Sequence, residues 1–339
     1  MSDKKLHVAF YGIWPEMADY VRSKMSGFFC HIHEEKISEK NLEKDAQILA
    51  VFVEAPVTSK MIKEMSKLKM IAAMSTGYDH IDIKTAKARH IPVCTVPSYG
   101  ENTVAEHAMA LILGLTRKLF QSVKRVKEGV YDFHGLRGMD LKGKTLGVVG
   151  TGRIGGHLIR MAKGFEMSVI AYDPFPNPKL AKELGFKYVK LDELLKKADV
   201  VSLHTPLLKS TYHLINKKNI KLMKPTAYLI NTARGALIEP EALVVALEKK
   251  QIAGAGLDVL EDEGLVQEED KIIGCTDCQI RTNLMNNIII DHPNTIVTPH
   301  NAFNSTEALQ RIVDTTVENI KSFVNGKVMN DVTAPAKNK

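Results

Sequence analysis

Cysteine is scarce in this chain, four residues in 339. That is too few for a disulfide framework and in keeping with a reducing compartment. Nowhere do apolar residues run for the ~18 positions that a membrane helix needs. The charged opening MSDKKLHVAFYG lacks the apolar core and small-residue cleavage site of a secretory signal. No dense basic stretch interleaves with aromatics, which argues against a nucleic-acid surface. Internal repeats at solenoid spacing and low-complexity tracts are also missing. These absences lead to the expectation of a cytoplasmic protein with neither a membrane nor a nucleic-acid partner.

What is there suits an ordinary globular protein, with 45% hydrophobic and 25% charged residues. The length favours two domains over a single core. A formal charge of +7 steers anionic ligands towards a cleft, or simply reflects lysines spread over helix surfaces. Cys30 and Cys94 sit in apolar, strand-like surroundings and read as buried hydrophobes. Cys275 and Cys278, in GCTDCQ, have redox or metal-ligand spacing. A zinc site needs two further ligands, and no second pair exists. His292 is a conceivable partner, but the reading adopted is a plain surface loop and no metal.

The first ~98 residues alternate apolar runs (LHVAFYG, ILAVFVE, MIAAMST) with helical segments (PEMADYVRSKM, TSKMIKEMSKL). Such alternation predicts βα units and a parallel sheet. From Thr103 to Gly129, helical spacing of apolar residues predicts one long helix joining two lobes, opened by a capping box of Thr103 and Glu106. A second βα series follows, with strands TLGVVG, SVIAYD, DVVSLH, TAYLIN, AGAGLD and TIVTPH. Their continuous apolar character is that of parallel strands covered on both faces. One more amphipathic helix runs from Ser305 to about Val324, and NDVTAPAKNK reads as a loose tail.

VVGTGRIGG places Gly150, Gly152 and Gly155 in G-x-G-x-x-G spacing. The motif follows a strand and opens a helix, the context a dinucleotide fingerprint requires. The helix N-terminus offers N–H groups and a positive dipole end to phosphates. Asp173 closes the next strand, 18 residues after Gly155. An acid there accepts hydrogen bonds from the ribose hydroxyls and repels a 2′-phosphate, so NAD is favoured over NADP. Ligands of an open parallel sheet sit beyond the strands' carboxyl ends, and three residues of matching chemistry fall there. Arg234 suits a substrate carboxylate and carbonyl. His300 suits proton transfer to that carbonyl oxygen as hydride arrives. Glu263, bonded to the imidazole, would favour its protonated form and fix its tautomer.

In STGYDHIDI, VPSYGENTVAEHAMALIL, LKGKTLGVVGTGRIG, SLHTPLLKSTYHLIN, LINTARGALIEPEALVVAL, GAGLDVLEDE and HPNTIVTPHNAF, the chain resembles the D-isomer-specific 2-hydroxyacid dehydrogenases over nearly its whole length. The branch it is most similar to is that of the D-lactate dehydrogenases. The resemblance implies an α/β fold of two doubly wound parallel-sheet domains. A flavodoxin-like substrate domain would comprise 1–100 and 302–339, and a Rossmann-type NAD domain 101–301. It implies a catalytic triad of Arg234, Glu263 and His300, with Glu263 rather than Glu261 by its place after LDV. Thr76 and Gly77 would bind the substrate carboxylate through their N–H groups. Tyr99, Phe52 and Phe303 would wall the pocket, and closure of the substrate lobe would exclude water. Cofactor contacts would involve Arg153, Ile154, His204, Thr205, Pro206, Thr232, Ala233, Asp258 and Thr103 as well as the glycines and Asp173. Homodimerisation through the coenzyme domain is also implied. The expected reaction is reversible reduction of a small 2-oxo acid, pyruvate to D-lactate first. Glyoxylate, hydroxypyruvate and bulkier acids stay open. Phosphoglycerate is disfavoured by the lack of an appended regulatory domain, and formate by Glu263, where formate oxidisers carry Gln. An NAD-responsive scaffold or corepressor is the alternative from another class. The segment EDEGLVQEEDKIIGCTDCQIRTNLMNNIIIDHPN, between Glu263 and His300, departs from the short EEP continuation of many members and reads as an extended insertion loop.

Overall fold

Val8 to Tyr11 are buried without a break, as a strand flanked by strands on both sides and covered on both faces requires. The structure, a computed structural model, describes residues 6–53, 56–267 and 275–334. It divides into two units, Met1–Tyr99 with Ser305–Lys339, and Gly100–Asn304.

The first unit begins β1 (His7–Tyr11), α1 (Pro15–Lys24), β2 (Phe29–His33), β3 (Ile48–Val51), α2 (Ser59–Glu64), β4 (Met70–Ala73), α3 (Ile83–Ala88) and β5 (Val93–Cys94). The sheet order is β2-β1-β3-β4-β5, all parallel, the flavodoxin order. Met61, Ile62 and Ala86 pack on one face against Ala9, Leu49, Ile71 and Val93.

The second unit contains α4 (Glu101–Thr116), α5 (Leu119–Lys127), β6 (Thr145–Val149), α6 (Arg153–Gly164), β7 (Ser168–Tyr172), α7 (Pro178–Leu184), β8 (Lys187–Tyr188), α8 (Leu191–Lys197) and β9 (Val200–Leu203). It continues with β10 (Tyr228–Asn231), α9 (Pro240–Glu248), β11 (Gly254–Leu257), α10 (Gly264–Gln267), α11 (Asp277–Asp291) and β12 (Thr295–Val297). Its parallel sheet runs β12-β11-β10-β9-β6-β7-β8, a Rossmann order extended by one strand, with the switch point between β6 and β9. Apolar residues of α4 and α6 cover one face, and those of α8, α9 and α11 the other. The chain then returns to the first unit as α12 (Thr306–Val324), capped by the Ser305 hydroxyl.

Several expectations need correction. The long helix is two, α4 and α5, because Lys118 takes a left-handed conformation with φ 51°. The Thr116 carbonyl, which a continuing helix would use, accepts from Met139 N at 2.8 Å instead. Gly138 lies so near that a Cβ would stand 2.3 Å from that oxygen. The capping box at Thr103 does not form either: α4 starts two residues earlier after Gly100, with no side-chain cap. Cys275 and Cys278 are not in a plain loop. They straddle the start of α11, where Thr276 and Gln279 form a capping box. His292 caps the other end of that helix, about 20 Å away at 1.5 Å per residue, which removes it as a partner. The tail is not loose at its start, because Val332 N bonds Val93 O and Asp331 bridges Cys94. Residues 335–339 lie outside the described region.

Cys94 is buried, as expected, and its thiol is pushed up to about 12, whereas Cys30 is only half-buried, its thiol pushed up to about 11. Among the described residues no helix is long and apolar enough to cross a membrane. Helix α4 reaches the sheet at Gly256, where a Cβ would stand 3.0 Å from Leu111 Cβ and 3.1 Å from Leu115 Cδ1 and Ile230 Cδ1. Gly256→Val should therefore overpack this contact and cost about 1–3 kcal/mol, read as a lower urea midpoint.

Candidate active site

The glycine turn follows β6 and packs tightly on its neighbours. Gly150, at φ +94°, would place a Cβ 2.7 Å from the His204 carbonyl oxygen, and Gly155 one 2.1 Å from Gly150 O. Only glycine permits both approaches. At Gly152 a Cβ would meet nothing within 4 Å, and no side chain caps α6, which it precedes. The first turn of α6 therefore keeps N–H groups available for an anion. Two threonine hydroxyls, Thr205 Oγ1 after β9 and Thr232 Oγ1 after β10, are buried without a hydrogen-bond partner. Asp173, after β7, accepts from Thr151 N at 2.8 Å, Thr151 Oγ1 at 3.0 Å and Phe175 N at 2.9 Å. The turn and the acid are thus locked together. An open glycine cradle, an uncapped helix and two orphaned hydroxyls at neighbouring strand ends fit a bound dinucleotide.

Of the other residues expected around a cofactor, Arg153 is largely exposed and pairs with Glu101 at 3.3 Å. Ile154 packs against the apolar layer of α4 and α6. Thr103 is buried in the first turn of α4. Pro206 continues the turn after His204 and Thr205, and Ala233 N bonds Asn231 Oδ1.

Three strand ends carry the side chains expected to react. After β10, Asn231 fixes the turn by donating to Arg234 O at 2.8 Å, and the Arg234 guanidinium donates to Ala233 O at 2.8 Å. Gly235 lets this turn graze the next: a Cβ there would stand 2.0 Å from the Leu260 carbonyl carbon. After β11, Glu263 accepts from Leu260 N at 3.3 Å through Oε2. Its Oε1 lies 2.5 Å from His300 Nδ1, and the two side chains stay 34% and 31% exposed. This pairing holds the Nδ1–H tautomer and leaves His300 Nε2 for other work. His300 itself has φ 53°, a conformation rare outside glycine that tends to occur at functional sites.

Asp258 explains how that backbone persists. The carboxylate is 1% exposed and accepts from Thr298 Oγ1 at 2.6 Å, Asn301 N at 3.0 Å and Ala302 N at 2.9 Å. Its carbonyl takes His300 N at 2.8 Å. Expected among the cofactor contacts, Asp258 directs its carboxylate into the turn that carries His300. Phe303, just beyond, is half-buried.

In the first unit, Thr76 and Gly77 follow β4. Thr76 Oγ1 donates to Val96 O at 2.7 Å and Ser75 Oγ to Gly77 O at 2.6 Å. No hydrogen bond among the described residues uses the N–H of Thr76 or Gly77. Phe52 is 6% exposed and packs edge-on against Trp14. Tyr99 O accepts from Arg311 Nε at 2.5 Å.

Residues 109–302 match the model of the D-isomer-specific 2-hydroxyacid dehydrogenase NAD-binding domain. The chain belongs to this family. The enzyme is thus an NAD-dependent oxidoreductase of α/β fold. It is 34% identical to a D-lactate dehydrogenase of Escherichia coli over 89% of this chain and 91% of that one. It is 38% identical to a glyoxylate reductase of Thermococcus litoralis over 86% and 83%. The structure of a D-lactate dehydrogenase from Aquifex aeolicus, complexed with NAD and lactic acid, superposes with a TM-score of 0.86 and 36% identity, covering 97% of this chain and 100% of that one.

One residue of the dehydrogenase escaped the sequence reading. His107 Nε2 lies 3.0 Å from Thr298 Oγ1 and 3.5 Å from Asp258, behind the His300 turn. No local pattern marks it. Glu261 is held by Tyr212 at 2.9 Å and His213 at 2.8 Å, which leaves Glu263 to His300.

Burial pushes the His204 imidazole down to about 4, and Ser202 Oγ lies 2.8 Å from its Nε2. This ring is neutral at pH 7 in the folded enzyme. Between about 6.5 and 4 the unfolded chain binds the proton that the folded one refuses, so stability falls as pH drops through that window. His204→Gln should flatten that fall, by up to about 3 kcal/mol at the acid end, measured by denaturant midpoints at pH 7 and pH 4.5.

Proposed function

We propose that this dehydrogenase reduces small 2-oxo acids to D-2-hydroxy acids, with pyruvate to D-lactate as the leading reaction and His300 as the general acid/base. The observation that carries the reading is the 2.5 Å Glu263–His300 pair, set beside the Arg234 turn at the carboxyl ends of successive strands. NADH, when bound, supplies the hydride. His300 Nε2 would give the proton to the carbonyl oxygen, and Glu263 would stabilise the imidazolium before that transfer. Arg234 would hold the carboxylate and polarise the carbonyl through its planar donors. The uncommitted N–H groups of Thr76 and Gly77 would receive the substrate carboxylate, with Phe52, Tyr99 and Phe303 as apolar walls. In this reading the first unit serves as the substrate domain. Asp173 supports NAD over its 2′-phosphorylated form, because a carboxylate repels that phosphate.

Lactate in the Aquifex aeolicus complex favours the small-acid reading, and the Thermococcus litoralis relative keeps glyoxylate as the second choice. Four cysteines without a disulfide suit the cytoplasm. NADH oxidation followed with pyruvate, glyoxylate, hydroxypyruvate, 2-oxobutyrate and phenylpyruvate should show a preference for pyruvate and little turnover with NADPH. His300→Ala should lower kcat by about 10²–10⁴ while NADH binding persists. Folded protein that binds NADH yet reduces none of these acids would refute the proposal and leave the scaffold role.

Homodimerisation is part of the same proposal. Helix α5 and the segment after it expose Leu119, Phe120, Val123, Val126, Tyr131 and Phe133, an apolar stretch of the kind that marks an interface. The double variant Phe120→Glu, Val126→Glu should elute as a monomer in size-exclusion chromatography with light scattering, where the parent elutes as a dimer.

A further inference from the structure

Three imidazoles gather around one carboxylate on the edge of the first unit's sheet, a cluster that hydride transfer does not use. The period of two along a strand puts Phe29, His31 and His33 on one face of β2. Pairing of Ala9 with His31 brings His7, on the same face of β1, alongside them. Glu43, in the connection from β2 to β3, lies over this face. Its Oε2 is 2.6 Å from His7 Nε2, its two oxygens are 2.9 Å and 3.0 Å from His31 Nδ1, and Oε1 is 2.5 Å from His33 Nε2. His7 Nε2 is buried and, close as it is to the carboxylate, makes no hydrogen bond. One atom each of His7, His31 and Glu43 falls within a sphere of mutual distances below 4.8 Å.

The surroundings hold these groups in place. Glu43 N donates to Tyr11 Oη at 2.9 Å, and Tyr11 Oη donates to Asn41 O at 2.8 Å. The Tyr11 ring stacks on His33 at 4.4 Å. Gln47 brackets the main chain of His7 from both sides, donating to its carbonyl and accepting its N–H. Burial works to raise the Glu43 carboxyl, but hydrogen bonds from His33 and His31 hold it below the ordinary carboxylate range. His7 opens β1, whereas Gly12 and Phe52 lie past the strands' other ends. Four steps along β1 span about 13 Å, which sets His7 well apart from Phe52, one of the residues proposed for substrate.

We propose that His7, His31 and Glu43 bind one divalent transition-metal ion, zinc or a close neighbour, with His33 orienting the carboxylate. Two imidazole nitrogens and a carboxylate oxygen are the donor set of such ions, whereas calcium and magnesium ask for oxygen alone. Bonds of about 2.0–2.1 Å to a common ion set the three ligand atoms slightly farther apart than the Glu43 contacts seen here. Small side-chain rotations supply that difference. An ion held by β1, β2 and the segment between β2 and β3 would pin the sheet's edge strand.

The test uses the full chain without a histidine tag, stripped of metal, titrated with zinc chloride by calorimetry and followed by thermal unfolding. The expected result is one ion per chain and a rise in Tm of several degrees. Cobalt(II) should give the visible absorption of a low-coordinate nitrogen and oxygen site. His31→Gln and Glu43→Gln should each abolish both effects while circular dichroism stays unchanged. His31 is nearly half-exposed at 47%, so the first of these substitutions is tolerable to the fold. Cys275→Ser with Cys278→Ser should bind zinc as the parent does. No saturable binding by the parent would overturn the proposal. So would binding that survives both cluster variants, or that vanishes with the two cysteines.

Discussion

Asp258 sits at the end of β11 with its carboxylate out of water, and three donors from the next strand's turn converge on it. A buried charge is tolerable only when its hydrogen-bonding capacity is filled, and here the filling comes from the Thr298 hydroxyl and two main-chain N–H groups. The arrangement is reciprocal. The N–H groups of Asn301 and Ala302 are satisfied only while the turn bends around that carboxylate, and the bend places His300 in a backbone conformation it would not choose alone. The His300 ring is therefore aimed by the main chain before Glu263 touches it. Loss of the carboxylate would orphan the Asn301 and Ala302 N–H groups together, at about 1–3 kcal/mol for a buried donor.

The coenzyme side works in the opposite sense. There the structure leaves polar capacity unused, at the first turn of α6 and at the hydroxyls of Thr205 and Thr232. Buried polar atoms in folded proteins are nearly always paired, so two orphans at adjacent strand ends beside an open glycine cradle point to a partner that is not protein. One edge of the sheet thus combines a rigid, fully bonded turn with a surface whose bonds a ligand completes.

Much of this was legible in the sequence because parallel strands covered on both faces are continuous apolar runs, and chemistry in such sheets falls just past them. Gly150, Asp173, Arg234 and His300 could be placed on that rule alone, whereas Glu263 was separated from Glu261 by the family resemblance. Strands that lack such a run were not legible. Phe29–His33 alternates with histidine, and Val93–Cys94 and Lys187–Tyr188 are two residues long. The break at Lys118 escaped because it comes from a competitor for one carbonyl, Met139, more than twenty residues away. Helix α11 was hidden by asparagines, two of which, Asn283 and Asn286, are buried. The inward turn of Asp258 and the nearness of His107 are tertiary facts with no local pattern behind them.

The first unit is assembled from two distant stretches of chain. Asn330 O accepts from Thr95 N, Asn319 donates to Thr95 O, and Val332 N reaches Val93. The outer side of the edge strand β5, the side away from β4, therefore lacks its partners until residues near 330 have been made. Residues 100–304 form an uninterrupted unit and meet no such delay. On a ribosome, where domains fold as they emerge, the coenzyme-binding half would be complete while its companion still waits with one side of its sheet uncovered. Helix α12 and the residues up to Val332 then act as a latch that closes the older part of the chain.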